Sequence, residues 1–296
     1  MFEKSQMNRL KWIVLYFFFL VNTGYGADYP YTLSICAIFQ NEAPYLKEWL
    51  EFHQAVGVEH FYLYNHRSRD HYREILKPYI ASGIVELIDK PKVANRIKLF
   101  NRLQCKCYNE CLARSRSISK WVAFIDIDEY LFPVKEQSLQ NVLKDYEKYG
   151  GVYANWRIFG TSCLKKIPKH QVLIEALTSC TPHTFSANHY IKSIVRPEYA
   201  LHFPNPHHPV YRTGYFQVNT DNIPFDGPFQ SSFIQSNRLR INHYWTRDED
   251  FFYRIKIPRQ KRWGEKPNPQ HILLKVNQEK DDAILRFVSG LKERLR

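Results

Sequence analysis

Two aspartates, Asp126 and Asp128, stand at i and i+2 in the stretch WVAFIDIDEYLFP (Trp121–Pro133), with Glu129 directly after them. Side chains at i and i+2 of an extended chain point to the same side. Both carboxylates therefore leave the end of a strand together. Two such charges repel and raise each other's pKa unless a cation sits between them. Hard oxygen ligands suit Mg²⁺ or Mn²⁺, and either ion would in turn grip a diphosphate. A solvated acidic turn is the plainer interpretation of a lone Asp-x-Asp. The apolar Tyr130-Leu131-Phe132 that follows argues against a fully wet turn.

Two further groups could join this chemistry. His243 follows Ile241-Asn242 and precedes Tyr244-Trp245; as a neutral imidazole it could complete a metal shell, or it could be a hydrogen-bonded core histidine. Asp248, Glu249 and Asp250 head a predicted helix, where acids ordinarily stabilise the helix dipole. One of them could instead take a proton from an acceptor hydroxyl. Cys105, Cys107 and Cys111 crowd one predicted helix, but their spacing is not that of a zinc site, which leaves disulfides or core thiols. Cys163 and Cys180 could bridge an irregular region.

The elements that would position these residues alternate between strand and helix. Thr32–Phe39 predicts a buried first strand that exits through Asn41-Glu42. A helix follows from Pro44 to a cap at Gly57. Strands are expected at His60–Tyr64 and Ile84–Ile88, with a short helix between them that stops before Pro78. A helix from Ile97 to Arg116 leads into Trp121–Ile125, whose unbroken apolar run is that of a strand buried on both faces. This is the βαβ signature of a doubly wound, mainly parallel sheet. In such sheets ligands lie beyond the carboxyl ends of the strands, where Asn41, Glu42, Asn65 and Asp126 all fall. After a helix at Ser138–Tyr149 and a strand at Gly151–Ile158 the chain becomes loop-rich. Short strands are expected at Lys192–Arg196 and Arg238–Tyr244, an amphipathic helix at Arg247–Ile257 and a closing helix at Lys280–Arg296.

Composition sets the outer limits. The 296 residues carry a formal charge of +13 and 20 Tyr, 20 Phe and 6 Trp. A diffuse positive field suits anionic partners, and the aromatic load favours clefts that stack on flat or apolar surfaces. At the N-terminus, Lys4, Arg9 and Lys11 precede an apolar run from Trp12 to Val21, and Gly24 and Gly26 follow. Residues 1–26 are therefore expected to be a signal peptide or a short membrane anchor, and 27–296 one catalytic domain. Either form would place the chain in a secretory pathway or export it, with membrane association through the N-terminus in the anchored case. Such an address argues against nucleic acid as a partner.

The blocks IFQNEAPYLKEWLEFHQAVGVEHFYLYN, CYNECL…WVAFIDIDEYLFP, NWRIFGTSC, KSIVRP and INHYWTRDEDFFYRIK occur in this order between Ile35 and Lys256. Together they resemble glycosyltransferase family 92. The resemblance implies an α/β, GT-A-like fold with a loop-rich C-terminal acceptor half. It also implies a UDP-sugar donor (UDP-galactose), Mn²⁺ or Mg²⁺, a glycan acceptor, and inversion at the anomeric carbon. It places Asp126 and Asp128 on metal and diphosphate, Asn41 and Glu42 in the nucleotide pocket, and His243 on the metal. Asp248 or Glu249 is the expected general base. Arg102 or Lys192 would add positive charge, and Trp156 and Arg157 would shape the sugar site. Ser162-Cys163 departs from the Ser-Gly-like turn that the family pattern leads one to expect.

Two other functions compete with this one. A phosphatase of the haloacid dehalogenase type also follows a buried strand with Asp-x-Asp. It needs a later strand ending in paired acids, for which only Asp281-Asp282 is available. A non-enzymatic carbohydrate-binding protein would account for the charge and the aromatics but not for an acidic pair that ends a buried strand.

Overall fold

Strand alternation sets the layering. In β1 (Tyr31–Phe39), Leu33, Ile35, Ala37 and Phe39 enter one core while Cys36 and Ile38 enter another, as a period of two requires. The first core takes Leu46 and Trp49 from α1 (Ala43–Ala55) and Tyr72 and Leu76 from α2 (Tyr72–Ala81). The second takes Cys107, Tyr108, Cys111 and Leu112 from α3 (Ile97–Ser115). Helices thus cover both faces of the sheet, which is what allows its strands to be apolar throughout. The computed structural model describes residues 29–229 and 237–296. The basic and apolar N-terminal stretch, residues 1–26, lies outside the described residues, and among those described no helix is long and apolar enough to cross a membrane.

The first four strands are parallel: β1 pairs with β2 (His60–Asn65) and with β4 (Ser119–Phe124), and β2 with β3 (Val85–Asp89). Later strands continue the sheet as β5 (Glu129–Pro133) and β6 (Gly151–Ile158). Short ones follow as β7 (Ser179–Cys180), β8 (Ile191–Val195), β9 (Ala200–His202), β10 (Val210–Tyr211), β11 (Gln217–Val218) and β12 (Leu239–His243). Among the described residues the main sheet runs β3-β2-β1-β4-β8-β6-β12-β5, with β11 beside β6. The antiparallel β8 joins the parallel half to the later strands. The expected α/β class, mainly parallel with an irregular C-terminal half, is the one observed.

Four elements differ from expectation, the first being the helix expected at Ser138–Tyr149, which is α-helical only over Leu139–Leu143 and continues as a 3-10 turn at Lys144–Tyr146. α2 does not stop at Pro78 but continues to Ala81: burial of Leu76 and Tyr79 outweighs the one backbone hydrogen bond that proline removes. The closing helix is confined to Val288–Leu295, because Asp281 holds an ion pair with Arg240 and accepts the Ala283 amide, fixing a turn there. The helix expected from Arg247 begins at Glu249, since Arg247 itself has a left-handed φ of 53°. All six cysteines are free thiols, so Cys163 and Cys180 are not bridged.

Gly160 marks a close approach just beyond β6. A Cβ there would collide with the Asn277 side chain and the Val276 carbonyl oxygen. Gly160→Ala is expected to cost about 1–3 kcal/mol through overpacking. In thermal unfolding this appears as a midpoint lowered by several degrees.

Candidate active site

The acidic turn between β4 and β5 faces a cavity of about 570 Å³ at the carboxyl ends of β1, β2 and β4. Its shape comes from two reciprocal contacts. The Asp126 amide donates to Glu129 Oε2 (3.0 Å), and the Glu129 amide to the Asp126 carbonyl oxygen (3.1 Å). β5 then pairs antiparallel with β12, with Glu129 opposite His243, and the Tyr244 amide donates to the Asp128 carbonyl oxygen (2.8 Å). This register brings Asp128 and His243 together although they stand 115 positions apart in the chain. Asp128 Oδ1 lies 3.4 Å from His243 Nε2. Register also sets the opposite wall: Ala154 faces Lys192 across β6 and β8, and Ile158 pairs with His243 across β6 and β12. Alternation then carries Trp156, Lys192 and His243 to the cavity side of the sheet, and all three line it.

Each aspartate meets its own lysine. Lys192 Nζ donates to Asp126 Oδ2 (2.8 Å) and sits 3.5 Å from Glu129 Oε1, while Gln104 Nε2 donates to Asp126 Oδ1 (2.6 Å). Lys256 Nζ donates to Asp128 Oδ2 (2.6 Å). Burial alone would raise the Asp128 carboxyl, but Lys256 and His243 hold it well below the usual carboxylate range. Burial pushes Lys256 down to about 8 despite Asp128, because Arg259 and Arg247 also face it. Burial likewise raises Glu129, with Lys192 opposing and Asp126 adding to the shift.

Asn41 and Glu42 line the same cavity from the exit of β1. Asn41 has a left-handed φ of 57° and ties the exits of β1 and β2: its amide donates to Ser68 Oγ (2.9 Å) and its Oδ1 accepts the Arg69 amide (2.7 Å). Glu42 Oε2 lies 2.6 Å from Arg247 Nη2. That guanidinium is fully buried and lies over Tyr45, 3.5 Å from the ring centroid. It meets Glu42 as an ion pair rather than an aligned hydrogen bond. Burial raises the Glu42 carboxyl, against the pull of Arg247.

The expected bases sit elsewhere. Asp248 caps the helix that follows it: Oδ1 accepts the Phe251 amide (2.9 Å) and Oδ2 the Ile167 amide (3.0 Å). Neither Asp248 nor Glu249 lines the cavity, whose carboxylates are Glu42, Asp126 and Asp128. Arg157 turns to the far face of the sheet, where it pairs with Glu279 (2.7 Å), and Arg102 lies on a separate hollow. Asp281, held by Arg240, is likewise outside, so the paired acids a dehalogenase-type phosphatase requires are not at this site.

Sequence reasoning missed Lys256, Arg247, Arg259 and Gln104. Lys256 hides because the helical run over 249–262 contains a π-turn at Phe252–Lys256. The extra residue in that turn shifts the phase, so Ile255 is 47% exposed while Lys256 is buried. An α-helical wheel predicts the reverse. Asp128 and His243 form a carboxylate–imidazole donor pair, and the buried His243 Nδ1 has no hydrogen-bond partner among the described residues. Two such donors fit Mg²⁺ or Mn²⁺, which commonly take their remaining ligands from phosphate and water. No cluster of three His, Cys, Asp or Glu side chains able to hold a metal occurs among the described residues.

The cavity has chemically distinct ends. Toward β2 it is rimmed by Arg67, Arg69, Arg259 and Arg262, none of which pairs with an acid among the described residues. Toward β6 and β8 it carries Trp156 and His207 together with Lys192, which Asp126 neutralises.

A family profile described as Glycosyltransferase family 92 matches residues 29–280. A glycosyltransferase family 92 protein of Ricinus communis is 30% identical over 78% of this chain and 39% of its own length. The galactan beta-1,4-galactosyltransferase GALS3 of Arabidopsis thaliana is 32% identical over 41% of this chain and 25% of its own. The beta-1,4-galactosyltransferase galt-1 of Caenorhabditis elegans is 31% identical over 36% and 27%. The chain thus spans well under half the length of these relatives. Among solved structures, S. aureus TarS in complex with UDP-GlcNAc aligns over 89% of this chain and 72% of its own, at 13% identity and a TM-score of 0.34.

Proposed function

The chain belongs to glycosyltransferase family 92, and from that premise we propose that residues 27–296 form a metal-dependent, inverting hexosyltransferase. It moves a sugar, galactose in the first instance, from a UDP-sugar to a carbohydrate acceptor. The observation that carries this is one cavity in which an acidic pair, a histidine and two buried lysines meet a rim of arginines that pair with no acid among the described residues. Free guanidiniums around a cleft favour a polyanionic ligand such as a nucleoside diphosphate. Galactose is the sugar that two of its relatives, GALS3 and galt-1, are named for transferring.

Asp128 and His243 would hold Mn²⁺ or Mg²⁺, with Asp126 beside them. When bound, the ion supplies a Lewis acid that neutralises the leaving diphosphate. Asn41 and Glu42 line the nucleotide side. Lys256, Arg259 and the arginine rim add positive charge where the diphosphate departs. The acceptor hydroxyl yields its proton to a carboxylate lining this cavity, a role for which Asp248 is unsuited because both its oxygens are taken by backbone amides. The basic, then apolar, N-terminus supports a secretory or exported address.

The test is a UDP-release screen over UDP-sugars with Mn²⁺ and a panel of oligosaccharides. Turnover with at least one UDP-hexose, lost in EDTA and restored by Mn²⁺, is the expected result. A protein that is inert to every donor while it hydrolyses p-nitrophenyl phosphate would overturn the proposal.

A further inference from the structure

The aromatic end of the cavity does not stop at its wall. Trp156 packs on His243 with ring centroids 4.4 Å apart and on Tyr190 at 5.3 Å. Tyr190 in turn meets Phe229 edge-on at 5.1 Å, and the two residues are joined by an antiparallel backbone bridge. His207 buttresses the row, 5.3 Å from Trp156 and 5.1 Å from Tyr190. Its Nδ1 donates to the Ile191 carbonyl oxygen (2.9 Å), and burial pushes it down to about 4, so the ring is neutral and aromatic in character. Tyr190 and Phe229 are each 38% exposed. A continuous aromatic row thus leads from His243, beside Asp128, out to solvent.

We propose that Tyr190 and Phe229 form a stacking subsite for a pyranose of the acceptor glycan, one or more residues away from the sugar that receives the transfer. The inference rests on the transferase function proposed above and adds the acceptor's route into the site. A pyranose presents a C–H-rich face together with a rim of hydroxyls. Exposed rings that carry an apolar face and, in tyrosine, a polar tip match that surface without adding charge. Charge decides which ligand lies here. Guanidiniums that pair with no acid among the described residues gather at the opposite, β2 side of the cavity, which draws the nucleotide diphosphate there, whereas the cation on the β8 side, Lys192, is neutralised by Asp126, which leaves that side to a neutral sugar chain.

The experiment measures UDP release from the wild type and from Tyr190→Ala, Tyr190→Phe and Phe229→Ala, with galacto-, manno- and N-acetylglucosamine oligosaccharides of increasing length as probes. The expected result has three parts. The KM for the oligosaccharide that best stimulates the wild type rises roughly tenfold in each alanine variant, as for loss of one stacking contact. The KM for the UDP-sugar stays put. Tyr190→Phe, which keeps the ring, restores the acceptor KM. The penalty is also expected to vanish for a monosaccharide acceptor too short to reach the row. Variants with an unaltered acceptor KM, or with a raised donor KM in its place, would overturn the subsite. So would a wild type that cleaves its donor but responds to no oligosaccharide. A wild type that cleaves no donor at all would instead remove the transferase function on which the inference stands.

Discussion

Asp128→Asn is expected to lower kcat/KM for sugar transfer by about 10³-fold or more. A loss of that order follows when several kcal/mol of charge stabilisation at the leaving group disappears. The substitution keeps the shape of the side chain but removes the charge that Lys256 and His243 share. It also has a structural cost. Lys256 is buried and would lose its counter-charge. Breaking one partner of a buried pair typically costs about 3–5 kcal/mol. Lys256 is already pushed down to about 8 by burial, so it can shed its proton once Asp128 is neutral, and the cost falls toward the lower end of that range. Asp128→Asn combined with Lys256→Met should therefore regain stability in urea unfolding but not activity. Recovery of both would show that the pair serves only the fold.

The same pair gives a pH signature. Asp128 is held below the ordinary carboxylate range, so its contribution to stability is complete above the unfolded-state pKa and is lost as pH falls through the lower folded-state value. The wild type should lose stability on that acid limb more steeply than Asp128→Asn. Urea midpoints measured between about pH 6 and about pH 3 compare the two slopes.

How much of this was legible in the sequence depends on which physical rule governed each residue. β1 and β4 could be read because unbroken apolar runs have few other uses than a strand buried on both faces. With those strands placed, their carboxyl ends fix the cavity, and Asn41, Glu42, Asp126 and Asp128 line it. Their chemical roles remain those proposed. The later contributions follow rules that local periodicity does not carry. Lys256 depends on a π-turn, and Arg247 on a left-handed backbone that delays the helix. Asp248 was visible as one of three acids at a helix head. The backbone amide of the distant Ile167, which takes its second oxygen, was not visible. Trp156, Lys192 and His243 share a wall through the register of β6, β8 and β12, and cross-strand register is a tertiary fact.

Arg247→Met is the substitution from which the largest loss of stability is expected. The guanidinium is wholly buried, lies 3.5 Å from the Tyr45 ring centroid and 4.8 Å from that of Phe251, and faces Glu42 at 2.6 Å. It fastens the exit of β1 to the helical run that carries Lys256 and Arg259, so both walls of the cavity depend on it. Its removal leaves Glu42 buried without its nearest counter-charge, at about 3–5 kcal/mol, and forfeits two cation–π contacts. Activity should fall with it by about 10²-fold, since displacement of groups that hold the substrate costs that much. Glu42 supplies the discriminating control. Burial already raises its carboxyl above the unfolded value, so keeping it ionised opposes folding above the folded pKa, and that penalty fades as pH drops toward the unfolded value. Without Arg247 the folded pKa climbs further. The stability gap between wild type and Arg247→Met should therefore be widest near about pH 8 and narrow toward about pH 5. Glu42→Gln added to Arg247→Met should close part of the gap at the higher pH and make the difference insensitive to pH. A gap that stays constant across this range in both backgrounds would mean that the arginine acts through its ring contacts alone, with Glu42 as a bystander.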